Sequence, residues 1–398
     1  MIANAHSVKP RFALFELGFR PLFFVAGLFA VVSMVLWMLD LLTSIRLLPL
    51  DRSPALWHAH AMIYGYALAV IAGFLLTAVR NWTGQPTLHD RSLQGLVALW
   101  LLARVAPFVA GPYGLWLAMA ADNLFILYLS VALTIPVVRA KKWKNLGVIS
   151  KIYFFLIGNI LFDLGLLGWL EGGTRLGIYL GFYMVLSLIL VLARRVIPMF
   201  IRNGIDLPYT PQNRLWVDIS AFLLFLAFMV LDLFAHQPRL AALVALVLAL
   251  LHAIRLAGWF PFSIWSAIWR KPLLWVLLLA YGWMVVGFAL TSAAQLGLCP
   301  PFLALHAFAV GGISMMTMGM MARVAWGHSG RDLNAPPSGL GILFGLLAAS
   351  AVMRVVVPML LPAGYAWWIG CAQLLWIAAF GGFLLRYTPV LWRPRVSP

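Results

Sequence analysis

Residues 55–79 read ALWHAHAMIYGYALAVIAGFLLTAV, and no Asp, Glu, Lys or Arg interrupts them. A bilayer core is roughly 30 Å thick and a helix rises about 1.5 Å per residue, so about 20 mostly apolar residues cross it. The run is continuous and does not alternate as a barrel strand would. It reads as a buried transmembrane helix that carries two histidines, His58 and His60, at its start.

The same pattern recurs along the chain. Spans are expected at 21–42, 55–79, 92–110, 113–138, 147–170, 175–200, 214–234, 239–258, 272–295, 301–324, 338–361 and 364–386. The fold class is therefore all-α, a polytopic membrane protein of about twelve transmembrane helices, with 1–398 as a single integral membrane domain. The composition agrees: 64% of residues are hydrophobic and 10% charged, against about 25% charged in soluble domains. The first span follows Arg11 and Arg20, but it is too long for a cleavable signal and lacks a small-residue cleavage site.

The net charge of +17 suggests nucleic acid until the basic residues are sorted by loop. With both termini cytoplasmic, 22 basic residues fall on the inner side and only Arg46, Arg52, Arg175 and Arg239 on the outer. That asymmetry follows the positive-inside rule, so no nucleic-acid partner is implied and the expected partner is the membrane lipid. The remaining two, Arg104 and Arg354, lie inside spans. An arginine at that depth costs a few kcal/mol and points to function.

Two segments align without gaps at an offset of 246. His60-Ala61 matches His306-Ala307, Gly65 matches Gly311, Gly73 matches Gly319, and Trp82-Thr83-Gly84 matches His328-Ser329-Gly330. The spans that follow carry Arg104 and Arg354 in matching contexts. A weaker third copy ends at Arg202-Asn203-Gly204. The expected organisation is three tandem four-helix units, roughly 1–140, 141–258 and 259–398.

Of the eight histidines, His6, His89 and His236 read as loop residues. His58, His60, His252, His306 and His328 lie in spans or at their ends. Five such residues, two of them at matching repeat positions, favour metal or heme ligation, because neutral imidazole is the commonest metal ligand. His58 and His60 are two residues apart, roughly 200° around a helix, so a regular helix aims only one of them at a given centre. The repeat selects His60 as the partner of His306, near the outer face. His328 lies about 33 Å farther along its helix at 1.5 Å per residue, beside the inner face with His252. Two clusters are expected: an outer one of His58, His60 and His306, and an inner one of His252 and His328. A heme held by His60 and His306 would need cations for its propionates, and Arg104 and Arg354 suit that task. The competing assignment pairs the arginines with Asp122 or Asp163.

Met315, Met316, Met318, Met320 and Met321 crowd the tenth span; thioethers can bind Cu(I), but a methionine-rich apolar helix is more often plain packing. Cys299 and Cys371 are too isolated for a disulfide framework. The chain has no phosphate-binding loop and only two glutamates, so ATP-driven transport and hydrolysis find no support.

The segment Phe15-Glu16-Leu17-Gly18-Phe19-Arg20-Pro21 resembles the opening of the NnrS family. So do Trp57-His58-Ala59-His60 through Asn81-Trp82-Thr83-Gly84, Arg195-Val196-Ile197-Pro198, His252-Ala253-Ile254-Arg255, and Leu305-His306-Ala307 through Gly327-His328-Ser329-Gly330-Arg331. The similarity covers essentially the whole chain. It implies heme b, with copper as a second cofactor, in a bacterial inner-membrane protein of denitrification or nitrosative-stress defence. Nitric oxide is the implied ligand, and turnover would need a membrane or periplasmic electron donor. A non-enzymatic nitric oxide or metal sensor and a small-solute or metal transporter are the rival expectations. One departure is Ala61, where the family pattern has a glutamate. Three units of four helices also resemble the catalytic subunit of heme–copper oxidases, by fold-level analogy only, because the sixth and seventh spans lack the histidines of an oxidase copper site.

Overall fold

In a computed structural model, residues 12–43, 45, 47–48, 53–109, 112–235 and 237–396 are described. His6 and His236, and the terminal and loop cations Lys9, Arg11, Arg46 and Arg52, lie outside them.

Long apolar runs become long helices because every backbone polar group in a bilayer must be satisfied within the segment. They are α1 (Phe19–Leu42), α2 (Pro54–Thr83), α3 (Asp90–Val105), α4 (Tyr113–Arg139), α5 (Trp143–Leu166), α6 (Gly173–Gly204), α7 (Leu215–Ala235), α8 (Pro238–Trp259), α9 (Pro272–Gln295), α10 (Pro301–His328), α11 (Leu340–Leu360) and α12 (Tyr365–Trp392). Among the described residues, eleven are long and apolar enough to cross a membrane. The exception is α3, expected as a span over 92–110: its α-helix has 16 residues, and the chain tightens into a 3₁₀ turn at Ala106–Phe108, where Pro107 removes a backbone donor. The chain is a multi-pass membrane protein.

Proline stands in the first turn of α2, α8, α9 and α10, where its missing N–H is no loss. The repeat-related Gly84 and Gly330 both take positive φ, 68° and 82°. They end α2 and α10 in the left-handed conformation that side chains resist.

Helices α2, α6 and α10 contact one another at the centre. The most hydrophobic windows of α2 and α10 are 89% and 72% buried, whereas that of α7 is 28% buried, so α7 is peripheral. Tyr66 on α2 and Thr317 on α10 join their hydroxyls at 2.6 Å. Helix α6 presents Gly173, Gly177 and Gly181, four apart, to α5 and to Tyr64; a Cβ on Gly177 would lie 2.4 Å from the Gly158 carbonyl oxygen. Small residues at this spacing let membrane helices touch backbone to backbone. The ends of the bundle are tied by Arg20 of α1, whose Nη1 donates to the carbonyls of Val390 (3.4 Å) and Leu391 (2.9 Å) in the last turn of α12. A cation there complements the helix's negative end.

Both central helices that start with the repeat histidines widen into π-helix directly after them, at Ala61–Ala67 in α2 and Ala307–Ser314 in α10. Such segments are rare in regular helices and concentrate at functional sites.

Candidate functional site

A cavity of about 450 Å³ opens at the end of the bundle where α2 and α10 begin. Its walls come from α1, α2, α6, α10, α11 and α12 and are largely apolar, with Trp37, Met62, Phe182 and Trp376 among them. A volume of this size suits a small-molecule or cofactor pocket.

Few polar side chains face it. His306 donates from Nδ1 to the carbonyl of Phe302 at 2.7 Å. That bond fixes the tautomer and leaves the Nε2 lone pair to accept from Arg354 Nη2 at 3.2 Å. A ring nitrogen tied to a carbonyl, with the other presenting a lone pair, is the usual posture of a metal-ligating histidine. His58 lines the same cavity; its ring stacks on Trp37 with centroids 4.8 Å apart, and its Nδ1 is buried without a hydrogen-bond partner. Arg354 is held over the rings of Phe302 and Tyr365, and its Nη1 is also buried without a hydrogen-bond partner. Among the described residues no carboxylate forms an ion pair with Arg354.

The structure thus joins His58, His306 and Arg354, and it corrects the expected pairing of His60 with His306. His60 turns the other way, onto α5. Its Nε2 meets Asn159 Oδ1 at 2.8 Å, and its ring stacks between Tyr64 and Phe162. It lines a separate space of about 30 Å³ with Arg104, Asp122 and Asp163. Arg104 does not reach the large cavity either: it forms a buried ion pair with Asp122, the competing assignment. Asp163 accepts from Asn123 Nδ2 at 2.7 Å. Ala61 lies on the same wall, so the carboxylates there are Asp122 and Asp163 on α4 and α5.

A family model described as NnrS protein matches residues 13–395. The chain belongs to the NnrS family. No curated protein matches it. Family membership supports a place for this membrane protein in the nitric oxide response.

In this NnrS-family chain the expected inner pair does not form. His252 of α8 accepts from Tyr281 of α9 at its Nδ1, 2.7 Å away, and stacks on Phe288. His328, at the end of α10, packs against Phe19 of α1. The two sit against different helices because α8 leans on α7 and α9, whereas the end of α10 meets α1 and α12.

Sequence reasoning missed Gln373. It lies on α12, is 5% exposed and lines the large cavity, and neither its Oε1 nor its Nε2 has a hydrogen-bond partner. A buried amide with both ends unsatisfied costs stability unless something binds it. A lone glutamine in an apolar span was the available signal. Among the described residues no group of three or more His, Cys, Asp or Glu is arranged to hold a metal ion, so no residue set is assigned to copper.

Proposed function

We propose that this chain is a heme-containing membrane protein that binds or turns over nitric oxide, with heme b carried in the large cavity. The observation that supports it is the convergence of His58, His306, Arg354 and Gln373, each bearing an uncommitted or weakly committed polar atom, on one apolar space. The donor set fits the group. Imidazoles are the iron ligands of b-type hemes, a guanidinium without a carboxylate is suited to a propionate, and flat aromatic and aliphatic walls match a porphyrin.

When bound, heme supplies an iron that takes nitric oxide as a ligand and exchanges single electrons. The chain's own residues do the rest. His306 offers Nε2, and the Phe302 carbonyl holds its ring in the orientation that presents that atom. Arg354 must release Nε2 when His306 ligates, and its guanidinium is then available to an anion. Gln373 offers an N–H to a bound diatomic. The apolar walls exclude water and admit a small uncharged gas.

Reducing two nitric oxide molecules to nitrous oxide and water consumes two protons and two electrons, so turnover needs a proton path and an electron donor; among the described residues no carboxylic acid lines the cavity. The non-enzymatic reading is retained beside the enzymatic one. We further propose three tandem four-helix units, a bacterial inner-membrane location, and both termini in the cytoplasm, on the strength of the loop charges. The large cavity then faces the periplasmic half.

A pyridine hemochrome assay with spectra of the purified protein tests the cofactor, and nitric oxide consumption with added reductant separates the two readings. A colourless, heme-free preparation from heme-replete cells overturns the proposal. A nitric oxide adduct without turnover selects the binder.

A further inference from the structure

A second cleft, of about 210 Å³, lies between α6, α7 and α8. It is built from the later part of α6, the early part of α7 and the later part of α8, so it occupies the opposite half of the bundle from the large cavity. Its polar lining is dominated by cations: Arg194, Arg195 and Arg255 against one carboxylate, Asp218. Asp218 is already shared, with Arg194 Nε 2.5 Å from Oδ2 and Arg255 Nη2 2.9 Å from Oδ1. Arg195 is exposed and has no ion-pair or hydrogen-bond partner among the described residues. Three guanidinium groups facing one carboxylate leave a positive excess beside apolar walls. That excess is ready to take an anion, and the buried member, Arg255 at 8% exposure, is the one that most needs it.

Two deeper groups carry the same message. Arg255 is 8% exposed and its Nε has no hydrogen-bond partner. His252 is 1% exposed; Tyr281 engages its Nδ1, and its Nε2 has no partner. Two buried donors or acceptors left open on the wall of one cationic cleft mark a place built for a ligand.

The remaining walls identify the ligand. Leu190, Val191 and Phe222 are apolar, and Phe222 is 47% exposed, on the same outward face of α7 as Ile219 and Leu226. The cleft opens sideways, where lipid chains run. We infer that it binds the phosphate group of an anionic phospholipid, with the acyl chains lying along the outward face of α6 and α7. A phosphate presents several acceptor oxygens to the planar donors of arginine, and basic pockets between helices at headgroup depth suit anionic lipids. A zwitterionic lipid would bring its ammonium against the same arginines and is disfavoured. Free inorganic phosphate shares the anion but gains nothing from the apolar walls.

Native mass spectrometry of the delipidated full-length protein, titrated separately with phosphatidylglycerol, phosphatidylcholine and inorganic phosphate, tests this. Phosphatidylglycerol should remain bound through collisional activation that strips the other two. Arg195→Gln should weaken its retention roughly fivefold without moving the melting temperature of the lipid-free protein, because Arg195 has no partner to lose. Lys144→Gln, the same charge change at an exposed position in the first turn of α5, should leave retention intact. Equal retention by parent and Arg195→Gln, an equal loss in Lys144→Gln, or equal retention of phosphatidylcholine each overturns the lipid site. Stabilisation by inorganic phosphate with no retained phosphatidylglycerol overturns it in favour of a free anion.

Discussion

Arg354 donates to His306 Nε2 across 3.2 Å, on the lone pair that a metal would need. The guanidinium and an iron would thus compete for one nitrogen atom. Arg354 forms no ion pair with a carboxylate among the described residues, so under the proposed heme reading a propionate would supply its missing anion, and the bond to His306 would be a placeholder for that contact.

If so, Arg354→Ala should lower heme per protein and lower the reduction potential, because a nearby cation stabilises the reduced, more negative form and its removal takes that stabilisation away. Arg354→Lys should restore part of both, keeping charge without the two-pronged geometry. Arg104→Ala should behave differently. It strands Asp122 in a buried setting and should cost roughly 3–5 kcal/mol of stability, with the potential of any folded fraction unchanged. Redox titrations beside thermal melts of both variants check this. Matching behaviour of the two would return Arg354 to a structural role.

Among the histidines, His306→Ala and His58→Ala should each reduce the heme content of folded protein, and His60→Ala should not. The hemochrome-to-protein ratio on monodisperse samples decides. Loss of heme from His60→Ala alone would show that the wrong cavity has been assigned.

The histidine pairing shows where sequence reading stopped. Eleven of the spans, and the placement of five histidines within helices or at their ends, were legible because hydrophobic runs survive without three-dimensional information. The error lay in what a repeat means in space. Matching positions in the two aligned segments fall at separate places in the fold. His60 accompanies Arg104 in one small space, as His306 accompanies Arg354 in the large one. The large cavity joins residues that are not equivalent, His58 of one copy and His306 of another, and no alignment of the copies pairs them. The i, i+2 rule did hold: His58 and His60 face different spaces. Gln373 stood out in sequence only as a lone glutamine in an apolar span; that both ends of its amide lack a partner is a fact of the coordinates.

Gln373→Leu should raise the melting temperature of the cofactor-free protein, as it removes a stranded amide whose burial costs about 1–3 kcal/mol. The same change should speed nitric oxide dissociation from the loaded protein. Stopped-flow dissociation and a thermal melt check both signs. A lower melting temperature with unchanged dissociation would mean that the amide is used inside the protein.

Helix α6 should tolerate no methyl group at Gly177. Its Cβ would lie 2.4 Å from the Gly158 carbonyl and 2.6 Å from Phe162, so α5 and α6 must separate. Gly177→Ala should destabilise by about 1–3 kcal/mol. Gly95→Ala on α3, with no atom within 4 Å of the added carbon, should instead stabilise by up to about 1 kcal/mol through helix propensity. Unfolding curves of the pair have opposite expected signs.

A reporter fused after Lys144 should read cytoplasmic, and one near Pro300 periplasmic. The opposite result at either place would overturn the orientation, and reversal at both would put the large cavity in the cytoplasmic half and the cationic cleft in the periplasmic half.

The bond from Arg20 to the last turn of α12 reaches across 370 residues of chain. At translation rates of about 5–20 residues per second, its carbonyl partners emerge on the order of 20–70 seconds after the arginine. Through that interval the first helix holds a guanidinium that nothing later in the chain has yet capped. A chain that ends before α12 leaves it so permanently, and such truncated products should be recognised and degraded as unfinished rather than accumulate as eleven-helix proteins.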